Sequence, residues 1–374
     1  MNTPAPFIPV NAPLLSPNAK KYVDECIRSG WVSSAGSYIG RFENAFASFI
    51  GVKHAVSVTN GTAALHLALV ALNVGPGDEV IVPDLTIISC ALAVLYTGAK
   101  PVFVDVEKST GTMDPALLEK QITKRTKAIM VVHLYGHPAR MDEILRIARR
   151  HNLTVIEDAA EAHGALYNNR KAGGIGHVGC FSFYANKIVT TGEGGMVVTN
   201  SARINTRLRL LKDLAHSPKR RFLHEYIGYN YRMTNMQAAL GLAQLEQVEG
   251  YIEKKRWMAG QYKKLLSDIT DIELPIEKPG IKSVYWMYAL TVKRGAKLTR
   301  DDVRKQLAKK GVDTRDFFIP LHAQPVLRKL RLGNGGRYPI SQDLSKRGLY
   351  IPSGLAITMQ QITSVSRAMH EIFV

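Results

Sequence analysis

Two residues in this sequence carry side chains in settings that suit chemistry on a bound molecule. Lys187 lies in the run FSFYANKIVTTGEGG (181–195), and Asp158 ends the run TVIED (154–158), 29 positions earlier. Lysine is normally placed on a solvated face. A lysine between an aromatic-rich run and a Thr/Gly-rich turn is therefore unusual. An aspartate after a strand is less so, since it caps a following helix as readily as it meets a ligand. Two further features bear on the pair. Asn60-Gly61-Thr62 stands between the run AVSV (55–58) and an apolar helical pattern, so free backbone N–H groups and the helix dipole can bind a phosphate there. Ser182 lies five residues before Lys187, and its hydroxyl can reach the same phosphate.

Together these supply what pyridoxal phosphate (PLP) requires. A lysine amine forms a Schiff base, a carboxylate keeps the pyridine nitrogen protonated so that the ring is an electron sink, and an amide nest takes the phosphate. The lysine amine, once freed, is a general base for moving a proton at the substrate carbon, and partial desolvation is expected to lower its pKa.

Other motifs fail on context. Gly174-x-Gly176-x-x-Gly179 matches a dinucleotide fingerprint as a string, but it follows no clear strand and opens no helix. His133 and His137 stand four apart with Gly136 between them and no HExxH pattern, which argues against a helical zinc site. The stretch 192–195 lacks the Gly-Lys-Ser/Thr ending of a P-loop.

The elements that must position these residues alternate. Strand runs at 55–58, 79–82, 101–104, 128–132 and 154–158 are separated by helical patterns at 62–72, 87–96, 115–122 and 141–151. That alternation predicts a mostly parallel sheet covered by helices on both faces. Beyond about residue 250 the pattern changes to a charged helix at 251–266, the link LPIEKPG, a strand at 285–292, a helix within 298–311 and a last helix near 357–372. We therefore expect an α/β large domain over residues 1–250 and a smaller α+β domain over 251–374.

Composition agrees with a globular enzyme: 374 residues, 46% hydrophobic and 21% charged. The formal charge of +18 is spread in pairs such as Lys20–Lys21 and Arg149–Arg150, with no aromatic-interleaved basic tract. This favours attraction of a small anionic substrate over nucleic-acid binding. The longest apolar stretch, 85–96, is too short to span a bilayer, and the first fifteen residues have no secretory pattern, so a cytoplasmic protein is expected. Cys26, Cys90 and Cys180 are too scattered for a disulfide framework and read as small buried side chains.

Long segments of the chain resemble the nucleotide-sugar aminotransferases of the DegT/StrS group, which have the aspartate-aminotransferase (fold type I) architecture. They include GWVSSAG (30–36), NGTAALHLAL (60–69), VIEDAAEAHGA (155–165), FSFYANKIVTTGEGG, YNYRMTNMQAALGLAQLE (229–246) and GLYIPSG (348–354). The resemblance implies that Lys187 is the Schiff-base lysine and Asp158 the pyridinium partner. It further implies that Gly61, Thr62 and Ser182 hold the phosphate and that Glu161 reaches the ring hydroxyl. Asn230 resembles an asparagine that completes the phosphate site from a neighbouring subunit, which implies a homodimer. Trp31, Ser33, Tyr184, Arg232 and His322 fall in segments that border the sugar site in relatives. Ile87 stands where relatives carry an aromatic residue on the ring, a loss of roughly 0.5–1.5 kcal/mol of stacking.

Within the group, WVSSAG, EDAAEA, NKIVTTGEGG and YNYRMTN look closest to members that aminate C4 of GDP-4-keto-6-deoxy-mannose with L-glutamate and feed O-antigen (lipopolysaccharide) synthesis. The alternatives are another dTDP- or UDP-linked keto sugar, amination at C3, or a PLP-dependent sugar dehydratase. The dehydratases carry His in place of the Schiff-base lysine, and Lys187 argues for transamination.

Overall fold

The computed structural model describes residues 7–217, 219–220 and 222–373. Its main sheet has seven strands: β1 (His54–Val58), β2 (Glu79–Pro83), β3 (Lys100–Val104), β4 (Thr126–Val132), β5 (Thr154–Asp158), β8 (Val178–Ser182) and β9 (Gly195–Thr199). The intervening β6 (Leu166–Tyr167) and β7 (Arg170–Lys171) form a separate hairpin. The spatial order is β1-β9-β8-β5-β4-β2-β3. β9 alone runs against the others, being antiparallel to both β1 and β8. The sheet is thus mostly parallel, as the alternating pattern predicts.

The central strands read as unbroken apolar runs because both their faces are covered. Val80 and Val82 of β2 pack with Ala64 and Leu67 of the helix Gly61–Ala71. Ile81 points the other way and packs with Met141 and Ile144 of the helix Met141–Arg150. The carboxyl ends of β5 and β8 lie side by side, with Asp158 paired to Cys180. The ligand-binding edge of the sheet and the residues Asp158 and Ser182 therefore coincide.

A second sheet joins β10 (Ile272–Glu273), β12 (Tyr288–Val292), β14 (Gly348–Ile351) and β13 (Arg315–Asp316), in that order and antiparallel. It packs on the helices Val248–Leu266 and Met359–Phe373 around Tyr262, Tyr288 and Met369. β11 (Ile281–Lys282) reaches across to β6 of the first part of the chain. The start of the described chain joins this second sheet too. Ile8 exchanges backbone hydrogen bonds with Gly311 (2.8 Å) and Asp313 (3.0 Å), and Val10 accepts one from Ser353 (2.9 Å).

Two elements are shorter than their sequence patterns. The helix expected over 115–122 runs only from Pro115 to Leu118 before tightening into a 3₁₀ turn, with Asp114 capping it through the Ala116 N–H at 3.0 Å. The strand expected over 285–292 starts at Tyr288, because Tyr285 takes a left-handed backbone (φ 45°) and turns the chain before pairing begins. The second departure brings Trp286 into the site described next.

Candidate active site

A cavity of about 660 Å³ opens where the carboxyl ends of β5 and β8 meet the helix Gly61–Ala71. Asp158, Ser182, Lys187, Gly61 and Thr62 all line it. So do Glu161, Tyr184 and Ile87.

At one end, the Asn60 side chain caps the helix by accepting from the Ala63 N–H at 2.8 Å. The Thr62 hydroxyl donates to Ser89 Oγ at 3.0 Å. Gly61 lies so close to β8 that a Cβ on it would stand 2.8 Å from Ser182 Cβ. Gly195 of β9 is required in the same way, since a Cβ there would fall 2.4 Å from the Asn60 carbonyl oxygen. These two glycines let a strand, a helix start and a serine hydroxyl converge, which makes the cup suited to a phosphate.

At the other end sit two carboxylates and an amine. Asp158 Oδ1 accepts from the Ala160 N–H at 3.0 Å, and Oδ2 accepts from the Cys90 thiol at 3.2 Å. Glu161 Oε2 accepts from the Tyr135 N–H at 2.7 Å, and its Oε1 lies 3.9 Å from Lys187 Nζ. Burial pushes the Glu161 carboxyl up to about 7, against the pull of Lys187. Burial also holds the Lys187 ammonium below its ordinary range, opposed by Glu161 and Asp158. The desolvation anticipated for this lysine is present.

The Lys187 loop is fixed from several sides. Ile188 and Val189 are buried beneath it. Thr190 Oγ1 donates to the Phe183 carbonyl at 3.1 Å, and Gln237 donates to the Glu193 carbonyl at 2.7 Å. From the turn that precedes β12, the Trp286 ring lies 3.9 Å from Lys187 Nζ, and its indole N–H donates to the Asn186 carbonyl at 2.9 Å. Phe318 and Tyr350 complete that wall. Such an arrangement can hold a flat phosphorylated ring between an anion cup and a carboxylate, with an amine at its edge.

Five sequence candidates lie elsewhere in the chain. Asn230 accepts from Arg232 at 2.9 Å, and Arg232 pairs with Asp213 at 2.9 Å. Trp31 is 58% exposed, and it and Ser33 are tied through their carbonyls to Asn235. His322 is held by Asp84, Nδ1 to Oδ2, at 2.6 Å. None of these lines the 660 Å³ cavity, whereas Tyr184 does.

Neither the place of Trp286 in the site nor the Cys90–Asp158 contact has a signal in residue type or spacing. Cys90 is buried, as read, but its thiol meets Asp158 from a helix 68 positions away. The glycine-rich string at 174–179, with Gly173 before it, wraps a carboxylate: Glu157 accepts from the N–H groups of Gly173, Ile175 and Gly176 and from His133.

The chain matches the DegT/DnrJ/EryC1/StrS aminotransferase family over residues 13–370. It is 46% identical over 373 residues to the GDP-perosamine synthase of Caulobacter vibrioides, covering 99% of each chain. It is 43% identical over 367 residues to the GDP-perosamine synthase of Escherichia coli O157:H7, covering 98% of this chain and 99% of that one. The structure of S. venezuelae DesV superposes with a TM-score of 0.91 at 35% identity, over 98% of both chains.

Proposed function

This chain belongs to the DegT/DnrJ/EryC1/StrS aminotransferase family, and from that premise we propose that it binds pyridoxal phosphate and exchanges the amino group of L-glutamate for the C4 keto oxygen of GDP-4-keto-6-deoxy-mannose, giving GDP-perosamine and 2-oxoglutarate. The observation that carries this reading is the Lys187 amine, buried beside Glu161 and in one cavity with Asp158 and the Gly61–Ser182 cup. The full-length likeness to two GDP-perosamine synthases supports the choice of sugar.

The residues fit this cofactor. Gly61, Thr62 and Ser182 would take the phosphate, Asp158 the ring nitrogen and Glu161 the ring hydroxyl, for which its raised pKa keeps a proton available near neutrality. When bound, the cofactor supplies a carbonyl to carry the amino group and a ring to accept an electron pair. The chain's own residues do the rest. Lys187 would hold the cofactor and would serve as the base that moves the proton at the reacting carbon, a task suited to an amine whose pKa burial has lowered. Trp286, Phe318 and Tyr350 exclude water on the side of the smaller domain, which we assign to residues 251–374, with 1–250 as the large PLP-binding domain. Ile87, which lines the same cavity, would face the ring in place of an aromatic side chain.

We further read the enzyme as a homodimer with shared sites, acting in the cytoplasm in lipopolysaccharide O-antigen synthesis. The position of Asn230, Trp31, Ser33, Arg232 and His322 away from their own protomer's cavity supports sharing. Among the described residues no helix is long and apolar enough to cross a membrane.

The test is incubation of the purified protein with PLP, glutamate and a panel of nucleotide keto sugars, with products weighed by mass spectrometry. Conversion of the GDP sugar is expected. Conversion of only a dTDP- or UDP-linked sugar would keep the mechanism and reject the substrate, and loss of oxygen without amine gain would indicate a dehydratase.

A further inference from the structure

Among the described residues the Asp158 carboxylate takes one side-chain donor, and that donor is a thiol. Cys90 lies in the first turn of the helix Ser89–Tyr96, fully buried, with Sγ 3.2 Å from Asp158 Oδ2. Thr86 Oγ1 lies 3.6 Å from the same sulfur. Burial, reinforced by Asp158, pushes the thiol well above its ordinary range, so the sulfur keeps its hydrogen and is the donor to the carboxylate. Thr86 must then donate to sulfur, and the S–H bond is aimed along a fixed line: hydroxyl to thiol to carboxylate. Oδ1 is held independently by the Ala160 N–H at 3.0 Å. With both oxygens tethered, the rotation of the carboxylate plane is set, and each oxygen keeps a lone pair unused.

We propose that Cys90 is a positioning residue for Asp158, its thiol fixing the carboxylate that meets the ring nitrogen of bound pyridoxal phosphate. This rests on the cofactor reading above. A thiol is well suited to the role, because S–H is a weak donor. It orients the carboxylate while drawing off less of its negative charge than a hydroxyl at the same point would. The charge therefore stays available for the ring nitrogen, the atom whose protonation makes the ring an electron sink.

The test compares Cys90→Ala and Cys90→Ser with the wild-type chain. Cys90→Ala removes the tether. Its dissociation constant for PLP, measured by titrating cofactor-free protein, is expected to rise about two- to ten-fold, the range of one hydrogen bond. Its kcat should fall while KM for the sugar stays unchanged. Cys90→Ser keeps a donor and should restore the cofactor affinity to within about two-fold of wild type. A merely structural role would lower the melting temperature of both variants without this split. In addition, the S–H stretching band that Cys90→Ser abolishes should shift in cofactor-free Asp158→Asn. Equal PLP affinity in the wild type and Cys90→Ala, or an S–H band indifferent to Asp158→Asn, would overturn the proposal. A wild-type chain that binds no PLP would overturn the cofactor reading and this role together, so the two failures are distinguishable.

Discussion

Replacing Gly61 with Ala adds one methyl group at the tightest point of the anion cup. That methyl would lie 2.8 Å from Ser182 Cβ, 3.3 Å from its Oγ and 3.4 Å from its Cα. The first distance is below any normal carbon–carbon contact, so the helix start and β8 must move apart by a few tenths of an ångström. Overpacking of this kind costs about 1–3 kcal/mol. The cofactor-free protein can shed part of that strain by letting the helix start drift. Ala in place of Gly at the first helical position returns about 0.5–1 kcal/mol through reduced chain entropy. The melting temperature of the cofactor-free variant should therefore change little. Binding is different, because on the proposed reading the phosphate would need Gly61, Thr62 and Ser182 in register at once. The strain should reappear there as a roughly five- to hundred-fold rise in the PLP dissociation constant. The assay is an absorbance titration of cofactor-free protein, paired with thermal melts. Ser182→Gly in the same chain removes the atom that the new methyl meets, so the two changes should be non-additive, with the double variant binding better than the single effects sum to. A PLP affinity within two-fold of wild type, or a large loss of cofactor-free stability at unchanged affinity, would refute the idea that the Gly61–Ser182 approach forms the phosphate site.

Lys187→Ala should abolish both turnover and the visible absorbance of covalently held cofactor, and a spectrum like that of wild type would remove the lysine from its assigned place. For Glu161 the folded pKa of about 7 lies above the ordinary 4.5, so the folded state binds the extra proton and this group's stabilising contribution is lost as pH rises through that window. Thermal melts of cofactor-free Glu161→Gln should thus gain on wild type by about 1–3 kcal/mol between pH 4.5 and 7, and a constant offset would contradict the burial argument. Lys255 is fully buried and donates to the Trp286 carbonyl at 2.8 Å and to the Ser353 carbonyl, and burial pushes its pKa down to about 7. The unfolded chain then binds the extra proton between about pH 7 and 10.5, so wild-type stability should rise with pH across that range, and Lys255→Met, which strands two carbonyls at about 1–3 kcal/mol each, should be less stable and lack that rise. If sites are shared, mixing Lys187→Ala with Asn230→Ala subunits should regenerate one intact site per mixed dimer, about a quarter of wild-type activity in a random mixture, whereas no recovery would place Asn230 outside the partner's site.

The strands of the main sheet are readable in the sequence for a physical reason. Residues such as 80–82 and 128–131 must be apolar on both faces, and only a helix-covered parallel sheet asks for that. The cup at Gly61 is readable because it is local: a capping Asn, a Gly and a Thr open one helix, and Ser182 ends the neighbouring strand. What stays hidden is either long-range or set by backbone conformation. Trp286 sits in a run that alternates like a strand, and only the left-handed turn at Tyr285 sends its ring to Lys187. The Cys90–Asp158 contact joins two elements through the crossing of a helix over the sheet edge, which no spacing rule encodes. Nor does composition suggest that Ile8 and Val10 belong with the C-terminal sheet, since those contacts span more than three hundred positions.

The charges in the cavity also explain why it should prefer a cationic ring over a neutral one. Before a cofactor arrives, burial disfavours the ionised form of both Lys187 and Glu161, and each only partly relieves the other across 3.9 Å. Asp158 is buried too, and its tethers are a backbone N–H and a weak thiol, neither of which neutralises it. On the proposed reading, a protonated ring nitrogen would supply positive charge at Asp158, while Lys187, joined to the ring, would still present its nitrogen to Glu161. Binding that relieves a buried, poorly paired carboxylate gains more than the same contact would in water, because the interaction is made where solvent no longer screens it. On this argument the Asp158→Asn variant should keep its fold and lose chiefly the ring's protonation. Its bound cofactor should show a shifted absorbance maximum and greatly slowed proton transfer, while the phosphate cup still retains it; a variant with the wild-type spectrum and rate would mean that Asp158 does not face the ring nitrogen.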